Sequence, residues 1–484
     1  MEQKSLRKHE KISVDIEKLA FGGAGIGYLM HAENKLVVFV ENTIPGDSVT
    51  AEITKIKPNY LEARLSEIIK PSDLRIEPRC KHFGICGGCT LQNLIYEDQL
   101  EIKENQVKEA LSHIGGIKNP PVLPIIGFIK GDEGPWFYRN KMEFSFGTDT
   151  DGSITLGLHP KHRSYDVFQI EECFLESEDI GEMVSTVAEF MNENNISPYN
   201  YKNDSGLLRT FFVREGKRTG ERMVNMVVSD APFLKQKEFI KMLVQSDKFK
   251  SPTSIYLTNQ IVKKGHRTEF VENCIFGEPH LNERMELEGA TAGAKNSVGA
   301  GTSNGAAASL EFEILPQSFF QTNTLQAEVL YETVLKLGGI NKKDIVYDLF
   351  CGTGTIGLFC AHKASSVLGV DINESAILNA RANAEKNGMK NVKFYIGDVF
   401  EVISDRVEKP DVIIVDPPRV GLGDKLCEHL LSTDAPKIVY VSCNPTTLAR
   451  DLKVLCSKYR LVSAQPVDMF PHTYHIETVC ELVI

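Results

Sequence analysis

Residues 345–357 read IVYDLFCGTGTIG. A β-branched apolar run reaches Asp348, a glycine-spaced turn follows, and helical spacing begins at once. Glycines at 352, 354 and 357 let the backbone turn tightly and approach a ligand, and a helix start offers unpaired N–H groups. Four further apolar runs follow, SVLGVDI, NVKFYIGD, DVIIVDPP and KIVYVSC, each separated by a helical pattern. Strands alternating with helices predict a doubly wound parallel sheet over the last third of the chain. Asp371 ends the second strand about twenty residues beyond the glycine turn, placed to accept hydrogen bonds from ribose hydroxyls.

Taken alone, the glycine pattern fits a nicotinamide dinucleotide as well as S-adenosylmethionine. It is not a Walker loop, because no Gly-Lys-Ser/Thr follows. Two more acids move the balance. Asp398 closes the third strand, within reach of an adenine amino group, and Asp416 closes the fourth, directly before Pro417-Pro418-Arg419. A strand-terminal Asp-Pro-Pro suits a methyltransferase acting on a nucleobase, and a dehydrogenase has no need of it.

The fifth run ends in Cys443, with Asn444-Pro445 stopping the ladder and Thr446 offered as the cap of the next helix. A lone cysteine there reads first as a small buried hydrophobe. Beside a methyl donor it reads differently. Carbon 5 of a pyrimidine has no lone pair; a thiolate adding at carbon 6 places electron density on carbon 5, which can then attack a methyl group. A base must afterwards remove the carbon-5 proton. The stretch PHTYHIETVCELVI supplies His472, His475 and Glu477 as candidates, and spacing alone does not choose among them.

Upstream, residues 1–70 alternate in short strand-like runs separated by glycine and proline turns, which predicts a small β-barrel. Residues 71–316 read as a central α+β domain, with a helical run from Tyr96 to His113, and 317–484 as the methyl-transfer domain. The stretch from Gly289 to Ser309 carries one charge and reads as a mobile, low-complexity insertion. The net charge of −11 argues against a generic polyanion binder without excluding a local patch. Eight Lys/Arg against four Asp/Glu between Gly206 and Gln245 read as a solvated face. No apolar run approaches a membrane span and MEQKSLRKHEKIS has no signal-peptide core, so a cytoplasmic location without membrane contact is expected. Nothing calls for an obligate protein partner.

Eleven cysteines in such a compartment point to metal, catalysis or packing. Cys80, Cys86 and Cys89 form a Cys-x5-Cys-x2-Cys triplet among glycines, and Cys173 is the only other cysteine before Cys274. Zinc is the default for close cysteine pairs. A clustered triplet with one distant partner suits a cubane 4Fe–4S cluster better. Cys351, Cys360, Cys427, Cys456 and Cys480 fall on apolar patterns and read as core.

Assembled, these residues resemble the RNA uridine-5 methyltransferases across nearly the whole chain: SFFQTN at 318–323, DLFCGTGT at 348–355, VDPPR at 415–419, SCNP at 442–445 and HIETV at 475–479. The resemblance implies a Rossmann-like methyltransferase sheet, an OB-like TRAM barrel that binds RNA, S-adenosylmethionine as methyl donor, and an iron–sulfur cluster on the four cysteines. It implies Cys443 as nucleophile, Glu477 as base, and cofactor contacts from Gln321, Phe350, Asp371, Asp398 and Asp416. Arg139, Lys141, Arg209 and Arg214 become candidate phosphate contacts. The cluster-bearing relatives lean towards 23S ribosomal RNA over transfer RNA. The competing readings are an RNA cytosine-5 methyltransferase, a nicotinamide-dependent oxidoreductase with an iron–sulfur relay, and a non-catalytic RNA-binding module.

Overall fold

The computed structural model describes residues 6–31, 34–128, 134–163, 165–263, 265–266, 268–287, 308–404 and 408–484. The insertion expected at 289–309 lies outside the described residues except for its last two positions.

The first five strands, β1 (Lys11–Leu19), β2 (Gly25–His31), β3 (Asn34–Glu41), β4 (Ser48–Ile56) and β5 (Tyr60–Lys70), close a barrel in the order β1-β2-β3-β5-β4. Alternation drives it: Ile12, Val14 and Ile16 of β1 point inward while their neighbours face water. At Gly27 a Cβ would come within 2.2 Å of the Val14 side chain, so only glycine lets β2 cross β1 so closely.

Helix α1 (Tyr96–His113) follows. Its Val107, Ala110 and Leu111 share one apolar core with Tyr347, Leu349, Tyr440 and Leu448 of the C-terminal sheet region. A seven-stranded central sheet comes next, built from β6 (Lys141–Thr148), β7 (Ile154–Leu158), β8 (Phe168–Gln169), β9 (Leu208–Glu215), β10 (Arg222–Val228), β11 (Ser254–Ile261) and β12 (Glu269–Gly277). Its order is β12-β11-β10-β9-β6-β7-β8, and α2 (Ile180–Glu193) and α3 (Gln236–Gln245) bury their apolar stripes in its core. The hairpin pair β13 (Leu281–Leu287) and β14 (Ala308–Ile314) joins the core of the C-terminal unit through Met285, Leu310 and Phe312.

The C-terminal unit runs α4 (Thr324–Gly338), β15 (Ile345–Leu349), α5 (Thr355–Ala361), β16 (Ser366–Asp371), α6 (Glu374–Lys386), β17 (Val392–Ile396), α7 (Val399–Ser404), β18 (Val412–Val415), α8 (Gly423–Ser432), β19 (Lys437–Ser442), α9 (Pro445–Leu455), β20 (Arg460–Val467) and β21 (Glu477–Val483). Its sheet order is β17-β16-β15-β18-β19-β21-β20. The order reverses between β15 and β18, so the crevice for a ligand opens there, at the carboxyl ends of the strands.

The sheet is parallel from β17 to β19, as expected, but β21 is antiparallel to both neighbours. Only residues 468–476 separate β20 from β21, and a parallel crossover needs a dozen or more residues. The chain therefore turns back and slots its last strand between β19 and β20. No helix among the described residues is long and apolar enough to cross a membrane.

Candidate active site

Four strand ends meet at the switch point. β15 delivers Asp348 and the glycine turn, and β18 delivers Asp416, whose N–H donates to the Leu349 carbonyl at 3.3 Å. β19 delivers Cys443. The return of β21 brings Glu477 to the same edge from the opposite direction, since Thr478 pairs with Ser442.

Helix α9 starts where the sequence suggests but is capped differently. Asn444, not Thr446, is the cap: its side chain accepts the Thr446 N–H at 3.0 Å, and Pro445 occupies the first turn. Asn444 Nδ2 and Thr447 Oγ1 both donate to the Arg419 carbonyl, at 3.3 and 3.2 Å, which ties the Asp-Pro-Pro-Arg turn to the cysteine.

The glycine turn is left-handed at Phe350, Gly352 and Gly354. At Gly354 an added Cβ would lie 2.5 Å from the Phe394 ring, so the turn tolerates no side chain there. Asp371 accepts the Gly352 N–H at 2.9 Å and the Asn373 N–H at 2.8 Å, holding the turn from the second strand. Thr353 donates to the Phe319 carbonyl at 3.2 Å, and Asn140 of the central unit donates to the Gln321 carbonyl at 2.8 Å. The segment Phe319–Gln321 is thereby tied to the glycine turn on one side and to the central unit on the other. Asp398 is exposed and accepts the Phe400 N–H at 2.8 Å.

The electrostatics are strongly acidic. Both oxygens of Asp348 are buried without a hydrogen-bond partner among the described residues. Burial, then the Asp416 carboxylate, pushes its pKa up to about 8. Burial pushes Asp416 up to about 7. Glu477 is held well above the carboxylate range by burial and then by Asp416, with Arg419 opposing. Burial, then Glu477 and Asp416, raises the Cys443 thiol to about 11, again against Arg419. Cys443 is only partly buried, unlike Cys360, Cys427 and Cys480. A cation entering this carboxyl-lined crevice would favour the ionised form of each group, which fits a sulfonium donor better than a pyrophosphate.

The remaining candidate bases are engaged elsewhere. The His472 ring stacks on Trp136 at 3.7 Å, and burial lowers its pKa to about 3. His475 lies 4.1 Å from the Tyr474 ring, and burial, then Arg419, lowers it to about 4. Two residues received no role from sequence: Asp348 and Arg419. Both stand in quoted motifs, and the signal for Arg419 was its place directly after a strand-terminal Asp-Pro-Pro.

Two of the four expected phosphate contacts are corrected. Arg214 is buried, its guanidinium donating to the Ser318 carbonyl at 2.8 Å, and Arg209 is buried against the Tyr199 ring at 3.6 Å. Both lie on β9, the middle strand of the central sheet, which is covered on its two faces. Arg139 and Lys141 do line an open cavity of about 340 Å³ together with Cys86 and Gly88. In the charge-rich stretch 206–245, Arg218 and Arg222 are ion-paired with Glu328 and Asp179, both at 2.7 Å.

Cys80, Cys86, Cys89 and Cys173 are partly buried and unpaired. Burial, then Cys173, Cys86 and Cys80, raises the Cys89 thiol, so the four sit within electrostatic reach of one another. Burial pushes Cys173 up to about 12. Among the described residues no three His, Cys, Asp or Glu side chains converge closely enough to hold a single ion. Four thiols within electrostatic reach are the donor set that a cubane takes, one thiolate to each iron. Of the cysteines read as core, Cys360, Cys427 and Cys480 are buried, while Cys351 and Cys456 are only partly so.

Residues 7–66 match the TRAM domain, and residues 306–483 match the tRNA (uracil-5-)-methyltransferase family. An uncharacterized RNA methyltransferase of Protochlamydia amoebophila is 37% identical over 458 residues, covering 91% of this chain and 99% of its own. One from Caldanaerobacter subterraneus is 36% identical over 479 residues, covering 98% and 99%. The Pyrococcus abyssi tRNA (uracil-54, C5)-methyltransferase, solved with S-adenosyl-L-homocysteine, superposes with a TM-score of 0.71 at 30% identity, covering 98% of this chain and 100% of that one. The chain belongs to the RNA (uracil-5-)-methyltransferase family. The methyl donor of this RNA uracil-5 methyltransferase is S-adenosylmethionine, and the closed barrel is its TRAM domain.

Proposed function

We propose that this enzyme methylates carbon 5 of a uridine in structured RNA, with Cys443 as nucleophile and Glu477 as base. The observation that carries it is the antiparallel rung Ser442–Thr478, which sets one sulfur and one carboxylate side by side at the edge where the glycine turn opens. S-adenosylmethionine supplies an electrophilic methyl group. In this reading Gln321, Phe350, Asp371, Asp398 and Asp416 are its contacts.

The target base must leave its stack to enter the crevice. Cys443 then adds to carbon 6 as the thiolate, which the Arg419 cation favours. Carbon 5 gains the electron density for attack on the methyl group. Glu477 takes the carbon-5 proton, the double bond re-forms, and the Cys443 thiolate leaves. The resting thiol is disfavoured as an anion, so the ring's arrival and the neighbouring positive charge must accompany its ionisation.

Cys80, Cys86, Cys89 and Cys173 hold a 4Fe–4S cluster in this reading, pinning the loop after the barrel to the central unit. Large-subunit ribosomal RNA is the first candidate substrate, on the four-cysteine pattern. Transfer RNA is the second, on the full-length likeness to the archaeal enzyme. Incubating the protein with labelled methyl donor and transcripts of each, then mapping 5-methyluridine, tests both. Absence of 5-methyluridine from both RNAs, or methylation of cytosine, overturns the proposal.

A further inference from the structure

The loop from Asp468 to Ile476 joins β20 to β21 and leads directly into Glu477. One face of α1 grips it, through residues at helical spacing. The Lys103 ammonium, fully buried, donates to Asp468 Oδ1 at 2.6 Å and to the Phe470 carbonyl at 3.1 Å. The Tyr96 hydroxyl donates to Asp468 Oδ2 at 2.8 Å. Between them, Gln99 Oε1 accepts the His472 N–H at 2.9 Å, and its amide nitrogen lies 2.8 Å from the Leu94 carbonyl and 3.2 Å from His472 Nδ1.

His472 is the point where the loop turns. Its φ is 64°, a conformation that a residue with a Cβ keeps only when its surroundings impose it. Gln99 holds its N–H, the Thr90 and Leu91 N–H groups hold its carbonyl at 2.9 and 3.0 Å, and Trp136 holds its ring. Every one of these groups lies more than 300 residues away in sequence from the strand that they steady.

We propose that Gln99 is a positioning residue for Glu477: by clamping His472 in its left-handed turn, it sets where the carboxylate meets the carbon-5 proton. The inference rests on Glu477 being the base. In the step concerned, the carbon-5 proton passes to Glu477, its bonding pair becomes the carbon 5–carbon 6 double bond, and the carbon 6–sulfur pair leaves with Cys443. Attack by Cys443 precedes this step and does not depend on Gln99.

The test is a single-turnover experiment on the transcript that the full chain methylates, made with carbon-5-tritiated uridine. Gln99→Ala and Trp136→Leu are compared with the unaltered enzyme and with Glu477→Gln. With Gln99→Ala the covalent protein–RNA adduct forms at the unaltered rate, tritium release slows by about tenfold to a hundredfold, and adduct accumulates. Equal loss of adduct formation and release, or release at the unaltered rate, overturns the proposal. Should Gln99→Ala not fold, as read by circular dichroism, Trp136→Leu decides; it leaves the glutamine in place, and release slowed several-fold is expected. If Glu477→Gln releases tritium at the unaltered rate, the assignment of the base itself fails, and this outcome is separate from any result at Gln99.

Discussion

Cys443 and Glu477 flank one rung of the antiparallel pair β19–β21, where Ser442 faces Thr478. They are 34 positions apart in the chain numbering, yet the backbone hydrogen bonds of a single ladder fix their separation. On the proposed mechanism, replacing either should change a different half of the reaction.

Cys443→Ala removes the group that bonds to carbon 6. Methyl transfer should fall by at least ~10³-fold. RNA carrying 5-fluorouridine, which cannot release fluorine as a proton is released, should trap the unaltered enzyme as a complex on a denaturing gel and fail to trap the variant.

Glu477→Ala should still attack and transfer the methyl group. Release should slow by about 10²–10⁴-fold, and the denaturant-stable complex should build up on ordinary RNA as well. Normal turnover by this variant would remove the carboxylate from the mechanism.

The Cys443 thiol, raised to about 11, predicts a pH profile. Below that value the thiolate fraction rises with pH, so the rate of trapping by 5-fluorouridine RNA should climb by about tenfold per unit through the neutral range. A flat profile between pH 6 and about 9 would show that the sulfur is already ionised.

Asp348 gives a stability test with a definite sign. Its pKa is pushed up to about 8 in the folded chain, against about 3.9 when unfolded. Over that window the folded state binds the extra proton, so stability declines as pH rises and the full cost is present above pH 8 or so. Without cofactor, Asp348→Asn should melt higher than the unaltered chain by ~5 °C at alkaline pH, with the gap closing towards acid. Above about pH 8, where the Asp348 carboxyl is ionised, the same variant should also bind S-adenosylmethionine more weakly by calorimetry, because the sulfonium loses an anionic neighbour.

For the cysteine group, anaerobic loading with iron and sulfide should give a broad visible absorbance and about four irons per chain, and Cys89→Ser should lose both. Iron bound in equal amount by the serine variant would remove Cys89 from the ligand set.

Much of this was legible from residues alone. The β-branched runs ending in Asp348, Asp371, Asp416 and Cys443 name their strands, because buried parallel strands are nearly continuous apolar segments. Alternation in β1 likewise names the barrel. The cap of α9 differs from the sequence expectation because Asn-Pro both stops a strand and caps a helix, an asparagine before a proline being a good cap. Arg209 and Arg214 differ because charge alone does not show that a strand is covered on both faces. The reversed direction of β21 depends on pairing with β19, a non-local choice that no local pattern encodes. The grip of α1 on the His472 turn is hidden for the same reason: Gln99 and Lys103 look like ordinary polar residues of an exposed helix.

The placement of β21 also has a bearing on biosynthesis. Until Glu477–Val483 has been translated, β19 and β20 have a gap between them and the crevice lacks the base proposed for it. A nascent or prematurely terminated chain could carry the whole glycine turn and the sulfur, yet it would have no means of finishing a catalytic cycle.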